Sequence, residues 1–161
     1  MKLKFKQQDF QTDAVNAVCA LFDGQQRQTT TFSMEQGGQI ELFASVGISN
    51  ALSIDGERIT QNMHAVQRKN SLPSTDLYGA ALKESNSTLH TPNSTLLNPA
   101  PQFSVEMETG TGKTYVYTKT VYELNRLYGF TKFIVVVPSV AIREGVYKSL
   151  QTTQEHFAAL Y

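Results

Sequence analysis

Residues 106–120, EMETGTGKTYVYTKT, set a glycine-bracketed turn between an apolar, strand-like run and a helix-like run. That arrangement suits the binding of an anion. Backbone N–H groups that point into a turn, leading into a helix N-terminus with its partial positive charge, meet negative charge without water. Glycine is needed where the backbone must come close. Gly110-Thr111-Gly112 supplies the turn, Lys113 stands where its ammonium reaches outer phosphates, and the Thr114 hydroxyl is placed to complete a magnesium shell. A glycine-rich loop of no chemical meaning is the plainer alternative; the apolar run before it and the amphipathic run after it favour a phosphate site. One departure stands out. The strict pattern begins with a glycine five positions before the second one, and here that position holds Met107.

Around this turn the chain divides into three stretches: 1–24, 25–102 and 103–161. In the first, Phe10, Ala14, Ala17, Val18, Leu21 and Phe22 recur at helical spacing, and Asp23-Gly24 is a plausible stop. The second is rich in Gln, Ser, Thr and Asn. Within it, Ile40, Leu42, Ala44, Val46 and Ile48 alternate as in a half-buried strand, and residues 29–33 with Gly37-Gly38 suggest its hairpin partner. Ile59, Met63 and Val66 then return to helical spacing, with Pro73 beyond; residues 85–102 read as a long polar loop.

The third stretch reads as α/β. Residues 103–107 (FSVEM) predict a short strand, residues 113–129 a helix closed by Gly129, and residues 132–138 (KFIVVVP) a strand covered on both faces. Residues 139–151 predict a second helix with Ser139 at its N-cap. The pattern is a βαβ unit and its next helix. Expected from it is a parallel sheet left incomplete, preceded by an α+β insertion. An unpaired sheet edge is an open template, so oligomerisation through that edge is also expected.

Composition narrows the partners. The net charge is zero, so no global basic field advertises nucleic acid. Yet Lys113, Lys119, Arg126, Lys132, Arg143 and Lys148 face only Glu123 and Glu144 between residues 110 and 150, which places any anion-binding surface in the C-terminal part. Cys19 is alone and sits in an apolar pattern, so it reads as a small core residue. No apolar run is long enough to span a bilayer and no leader is evident, so a cytoplasmic location is the default.

METGTGKT, with Met at the first glycine position, resembles the P-loop of superfamily 2 helicase-like motors. Over residues 104–146, about a quarter of the chain, the sequence resembles the motor (Res) subunit of type III restriction enzymes with no gap. The resemblance implies a RecA-like P-loop NTPase core. It implies ATP and Mg2+ as cofactors, with Thr109 to Thr114 holding the nucleotide, and Lys113 and Thr114 in catalytic roles. DFQTDAV resembles the adenine-side motif of such motors, which makes Gln11 the adenine contact, its amide offering a donor and an acceptor. VVVPSVAIREGV resembles motif Ia, which implies that Ser139 and Arg143 touch a DNA backbone.

The expected parent protein is therefore an ATP-driven DNA translocase within a type III restriction-modification enzyme. Its partners would be DNA and the methyltransferase (modification) subunit, and a nuclease elsewhere in the chain would cut. The Asp-Glu pair that such motors need after the P-loop is absent, which suggests an N-terminal fragment inactive by itself. Two alternatives stay open: an inert nucleotide-binding fragment, and a P-loop ATPase or kinase of another family.

Overall fold

A computed structural model of the chain describes residues 6, 8–27, 50–75 and 101–161. Among these residues the regular elements are four helices: α1 (Asp9–Ala20), α2 (Gly56–Lys69), α3 (Lys113–Tyr128) and α4 (Val140–Leu160). They pack in the spatial order α2, α1, α3, α4, each against the next. The expected hairpin over residues 29–48 and most of the polar loop expected over 85–102 lie outside the described residues.

Helix α1 follows the apolar stripe that its sequence predicts. Val15 and Cys19 are buried against Val116 and Leu124 of α3 and against Phe130. Burial of the Cys19 thiol, with Glu123 adding to it, pushes its pKa up to about 11 and keeps it protonated and inert. At the far end of α1, Leu21 packs with Ile59 and Met63 of α2, and Phe22 joins both clusters. The Phe22 ring meets Phe130 edge to face at 5.4 Å. Gly24, at φ +94°, supplies the left-handed turn that stops this end of the chain from continuing as helix.

Helix α2 begins where Asp55 accepts a hydrogen bond from Arg58 N. It ends at Asn70 and at Ser71, which takes φ 56°, rather than through Pro73 further on. Helix α3 ends where expected, with Gly129 left-handed at φ 73° and its N–H bonded to Asn125 O.

The sheet does not form. Residues 103–108 and 131–138 are described, and neither run is a strand; no strand occurs among the described residues. The expected α/β, RecA-like parallel sheet is therefore corrected to a helical packing, and the described residues offer no sheet edge through which copies could pair. The reason lies in what a strand requires. β-branched residues favour a pleated surface only when a neighbour supplies hydrogen bonds and cover. The run 134–136 has neither: Ile134 is 92% and Val136 87% exposed.

Side-chain amides take the place of a ladder here, since an amide carries the donor and acceptor of a peptide group. Asn50 Nδ2 donates to Lys132 O at 2.8 Å, and Asn50 Oδ1 accepts from Thr131 N at 3.0 Å and Lys132 N at 3.2 Å. Gln25 Oε1 accepts from Ser53 N while its Nε2 donates to Ala51 O. Asn62, buried in α2, donates to Leu21 O and Asp23 O beyond the end of α1. Three amides thus tie distant parts of the chain.

Helix α4 is held almost wholly through its second half. Its buried residues are Thr153 and Phe157. The Phe157 ring stacks on Tyr122 at 5.0 Å and on Tyr115 at 5.2 Å, both from α3. At the helix end the Tyr161 hydroxyl donates to Glu123 Oε1 at 2.6 Å, and Arg126 holds Glu123 Oε2 at 2.7 Å. Partial burial raises the Glu123 pKa, but the Tyr161 and Arg126 hydrogen bonds outweigh it and hold the carboxyl below its ordinary value. A carboxylate depressed in the folded state stabilises above its unfolded pKa, and that contribution fades as pH falls through the folded value. The expected outcome is that acid below the ordinary carboxylate range frees the end of α4. Hydrogen exchange of residues 157–161 should rise on acidification in the wild type. In Glu123→Gln it should be high already and indifferent to pH; a wild-type response retained in that variant would assign the effect to another group.

Candidate functional site: the glycine turn and the exposed face of α4

The turn before α3 uses both of its glycines in the left-handed region, Gly110 at φ +82° and Gly112 at φ +87°. It is closed by its own side chains. Thr111 Oγ1 donates to the Glu108 carbonyl at 2.7 Å, and Lys113 Nζ donates to the same oxygen at 2.8 Å. The Lys113 ammonium is thus folded back on the turn. Gln11 of α1 reaches across and donates to Thr111 O at 2.9 Å. A Cβ on Gly112 would stand 2.6 Å from Gln11 Nε2, so the close approach of α1 is what requires glycine there. Thr109 is exposed and Thr114 lies half-buried in the first turn of α3. Phe10, beside Gln11, is 49% exposed rather than core.

The turn therefore brings together Gln11, Thr111, Gly112 and Lys113, as a brace between α1 and α3. Ser139 and Arg143 belong to a second place, the start of α4. Ser139 Oγ accepts from Ile142 N at 3.3 Å, which leaves the amides of Val140 and Ala141 without an intrahelical acceptor. Arg143 is exposed and pairs with its neighbour Glu144 at 2.9 Å. Exposed pairs of this kind contribute little and yield readily to a competing anion.

Further along α4, one stripe of the helix lines a cleft that the sequence reading missed. Tyr147, Leu150, Gln151, Thr153, Gln154 and Phe157 form one wall, Thr118 and Tyr122 of α3 the other, and the cleft measures about 400 Å³. Tyr147 is 59% and Tyr122 37% exposed. The available signal was the spacing of Arg143, Tyr147, Gln151 and Gln154, a helical stripe that carries polar and aromatic groups where a core stripe would be aliphatic.

The model of the family described as "Type III restriction enzyme, res subunit" matches residues 57–159, more than half of the chain. The chain belongs to the Res subunit family of type III restriction enzymes. Three Res subunits of type III restriction-modification enzymes are similar to it. That of StyLTI from Salmonella typhimurium is 51% identical over 59 residues, which is 35% of this chain and 6% of that protein. That of EcoPI from Escherichia phage P1 is 51% identical over 55 residues, 33% of this chain and 6% of that protein. That of EcoP15I from Escherichia coli is 49% identical over 55 residues, again 33% and 6%. Each alignment thus reaches only a small part of the relative's length. No solved structure matches.

Membership in the Res family stands, but the nucleotide chemistry inferred with it does not. A P-loop needs a strand feeding the turn and a parallel neighbour beside it. Residues 103–108 and 131–138 form neither, and the regular elements among the described residues are all helices. ATP and Mg2+ as cofactors, the P-loop, the helicase-like superfamily 2 assignment and an ATP-driven translocase function are corrected accordingly. The residues present do not fit a bound nucleotide: Lys113 is bonded to its own turn, and Gln11 lies over Gly112 rather than at an open face. No helix among the described residues is long and apolar enough to cross a membrane.

Proposed function

We propose that this part of a Res subunit supplies a DNA-backbone contact through the first turn of α4. The whole protein is then a site-specific deoxyribonuclease acting with the modification subunit of the same enzyme, and this chain alone does not cleave. The observation that carries the reading is the α4 N-terminus. Two amides without intrahelical acceptors, the Ser139 cap and the Arg143 guanidinium stand together on an exposed turn of a 21-residue helix. Lys132 and Lys148 flank it in sequence, in the stretch where basic residues outnumber acidic ones. Within this reading the glycine turn is the brace that holds α1 on α3, and α3 in turn carries α4.

The test is fluorescence anisotropy of a labelled duplex of about 30 base pairs, a length chosen to span two or three helical turns, titrated with the intact chain at several salt concentrations. Arg143→Ala is expected to weaken binding several-fold and to lower the salt slope by about one. The chain alone should leave the duplex uncut. Equal affinity and equal salt slope for the variant would sink the contact, and cleavage by the chain alone would sink the division of labour.

A further inference from the structure

We infer that the α3–α4 cleft is a stacking site for the bases of a single nucleic-acid strand whose backbone lies on the α4 N-terminus. The inference rests on the proposed DNA contact and extends it from phosphates to bases. Three observations carry it.

The first is continuity. Ser139, Arg143, Tyr147, Gln151 and Gln154 follow one another at intervals of three or four residues, so they form one line along α4. By the rise of an α-helix, Tyr147 stands ~12 Å beyond Ser139. A strand that places a phosphate at the cap has one or two nucleotides over the cleft.

The second is chemistry. Aromatic rings exposed in a groove are an element of sequence-tolerant single-strand binding, because every base has a π-face. Tyr147 and Tyr122 provide the rings. Gln151 and Gln154 provide amides that make no hydrogen bond among the described residues, and an amide matches the donor-acceptor edge of a base. At about 400 Å³ the cleft falls within the size range of small-ligand sites.

The third is rigidity on one side. Tyr122 is fixed by stacking on Phe157 at 5.0 Å and on Tyr161 at 5.2 Å, so its exposed edge is presented without further ordering. Tyr147 is free to close over a base from the other wall. A duplex keeps its bases stacked inside and offers none of them to such a cleft, so a single strand is the occupant the chemistry favours.

The probe is a labelled 12-mer of thymidylate beside a duplex of mixed sequence, each titrated with the intact chain. Tyrosine emission is read at the same time, since a stacked base quenches it. Tyr147→Ala is expected to weaken single-strand binding by roughly 5- to 150-fold, the range for loss of one stacked base, while duplex binding stays within twofold. Tyr147→Phe, which keeps the ring, should restore single-strand affinity to within about threefold of wild type. Circular dichroism of each variant checks that α4 is intact. If Arg143→Ala weakens both probes but Tyr147→Ala weakens neither, the base site is overturned and the backbone contact survives. If Tyr147→Ala weakens the single strand but Arg143→Ala changes nothing, the stacking stands and the backbone reading fails. If the two probes lose affinity equally in Tyr147→Ala, the cleft is no single-strand site. Absence of binding to either probe overturns both.

Discussion

Phe157→Ala is expected to destabilise the chain by about 3–5 kcal/mol, the usual cost of emptying a buried phenylalanine site. Phe157 is 1% exposed and stacks on Tyr115 and Tyr122 of α3; with Thr153 it is all that α4 buries. Small domains have a net stability of ~5–15 kcal/mol, so the loss is a large part of the total. It should also be local. Among the described residues, helix α4 packs on α3 and on no other helix, whereas α1 and α3 share the core of Val15, Cys19, Val116 and Leu124. Hydrogen exchange should therefore show α4 nearly unprotected in the variant while α1 and α3 keep most of their protection. Uniform loss across all helices would mean that α4 is integral to one cooperative unit. An unchanged melt would mean that Phe157 is not the anchor that its burial indicates.

The second large effect belongs to the glycine turn. Gly112→Ala is expected to cost about 2–3 kcal/mol. Roughly 1–2 of this is the left-handed backbone at φ +87°, disfavoured for any L side chain. The remainder comes from the new Cβ, which displaces Gln11 Nε2 from 2.6 Å and breaks its bond to Thr111 O. Gly110 is the internal control. It has nearly the same φ, +82°, but nothing lies within 4 Å of its added Cβ. Gly110→Ala should therefore show only the backbone cost. In a Gln11→Ala background the two glycine substitutions should converge, because the amide that Gly112 makes room for is gone. Equal costs in the wild-type background would falsify the idea that α1 is latched through this contact.

Both glycines were legible in the sequence as turn residues, and so was the need for something close to Gly112. The identity of that neighbour was not. The resemblance suggested a nucleotide's phosphates; the structure places there the amide of Gln11, from a residue 101 positions away. The resemblance implies an adenine contact for Gln11; in the structure its amide donates to Thr111 O at 2.9 Å. The helix starts and the glycine stops fared well for a local reason, whereas the last helix, expected over residues 139–151, runs on to Leu160 because Phe157 anchors its second half. Ser139 and Asp55 each accept a hydrogen bond from the N–H three residues on, and Gly24 and Gly129 take the left-handed stops. Those are interactions within a few residues, so the sequence displays both partners side by side.

The strands failed for the opposite reason. FSVEM and KFIVVVP carry strong strand propensity, but a strand exists only through a neighbour, and propensity is silent on whether one is present. The cleft escaped notice likewise, because one wall comes from α3 and the other from α4, and their pairing rests on Phe157 meeting Tyr115 and Tyr122. Family membership needed no tertiary information, since runs such as METGTGKT and VVVPSVAIREGV are local strings. By itself, then, the sequence determined the helices, their caps, the glycine turn and the Res family, all of which depend on residues close along the chain. Only the tertiary structure decided that β-branched runs stay unpaired, that Gln11 closes on the turn, and that α4 presents an aromatic, amide-lined face. Each of those outcomes depends on contacts between residues far apart in sequence, whose free energy no local pattern contains.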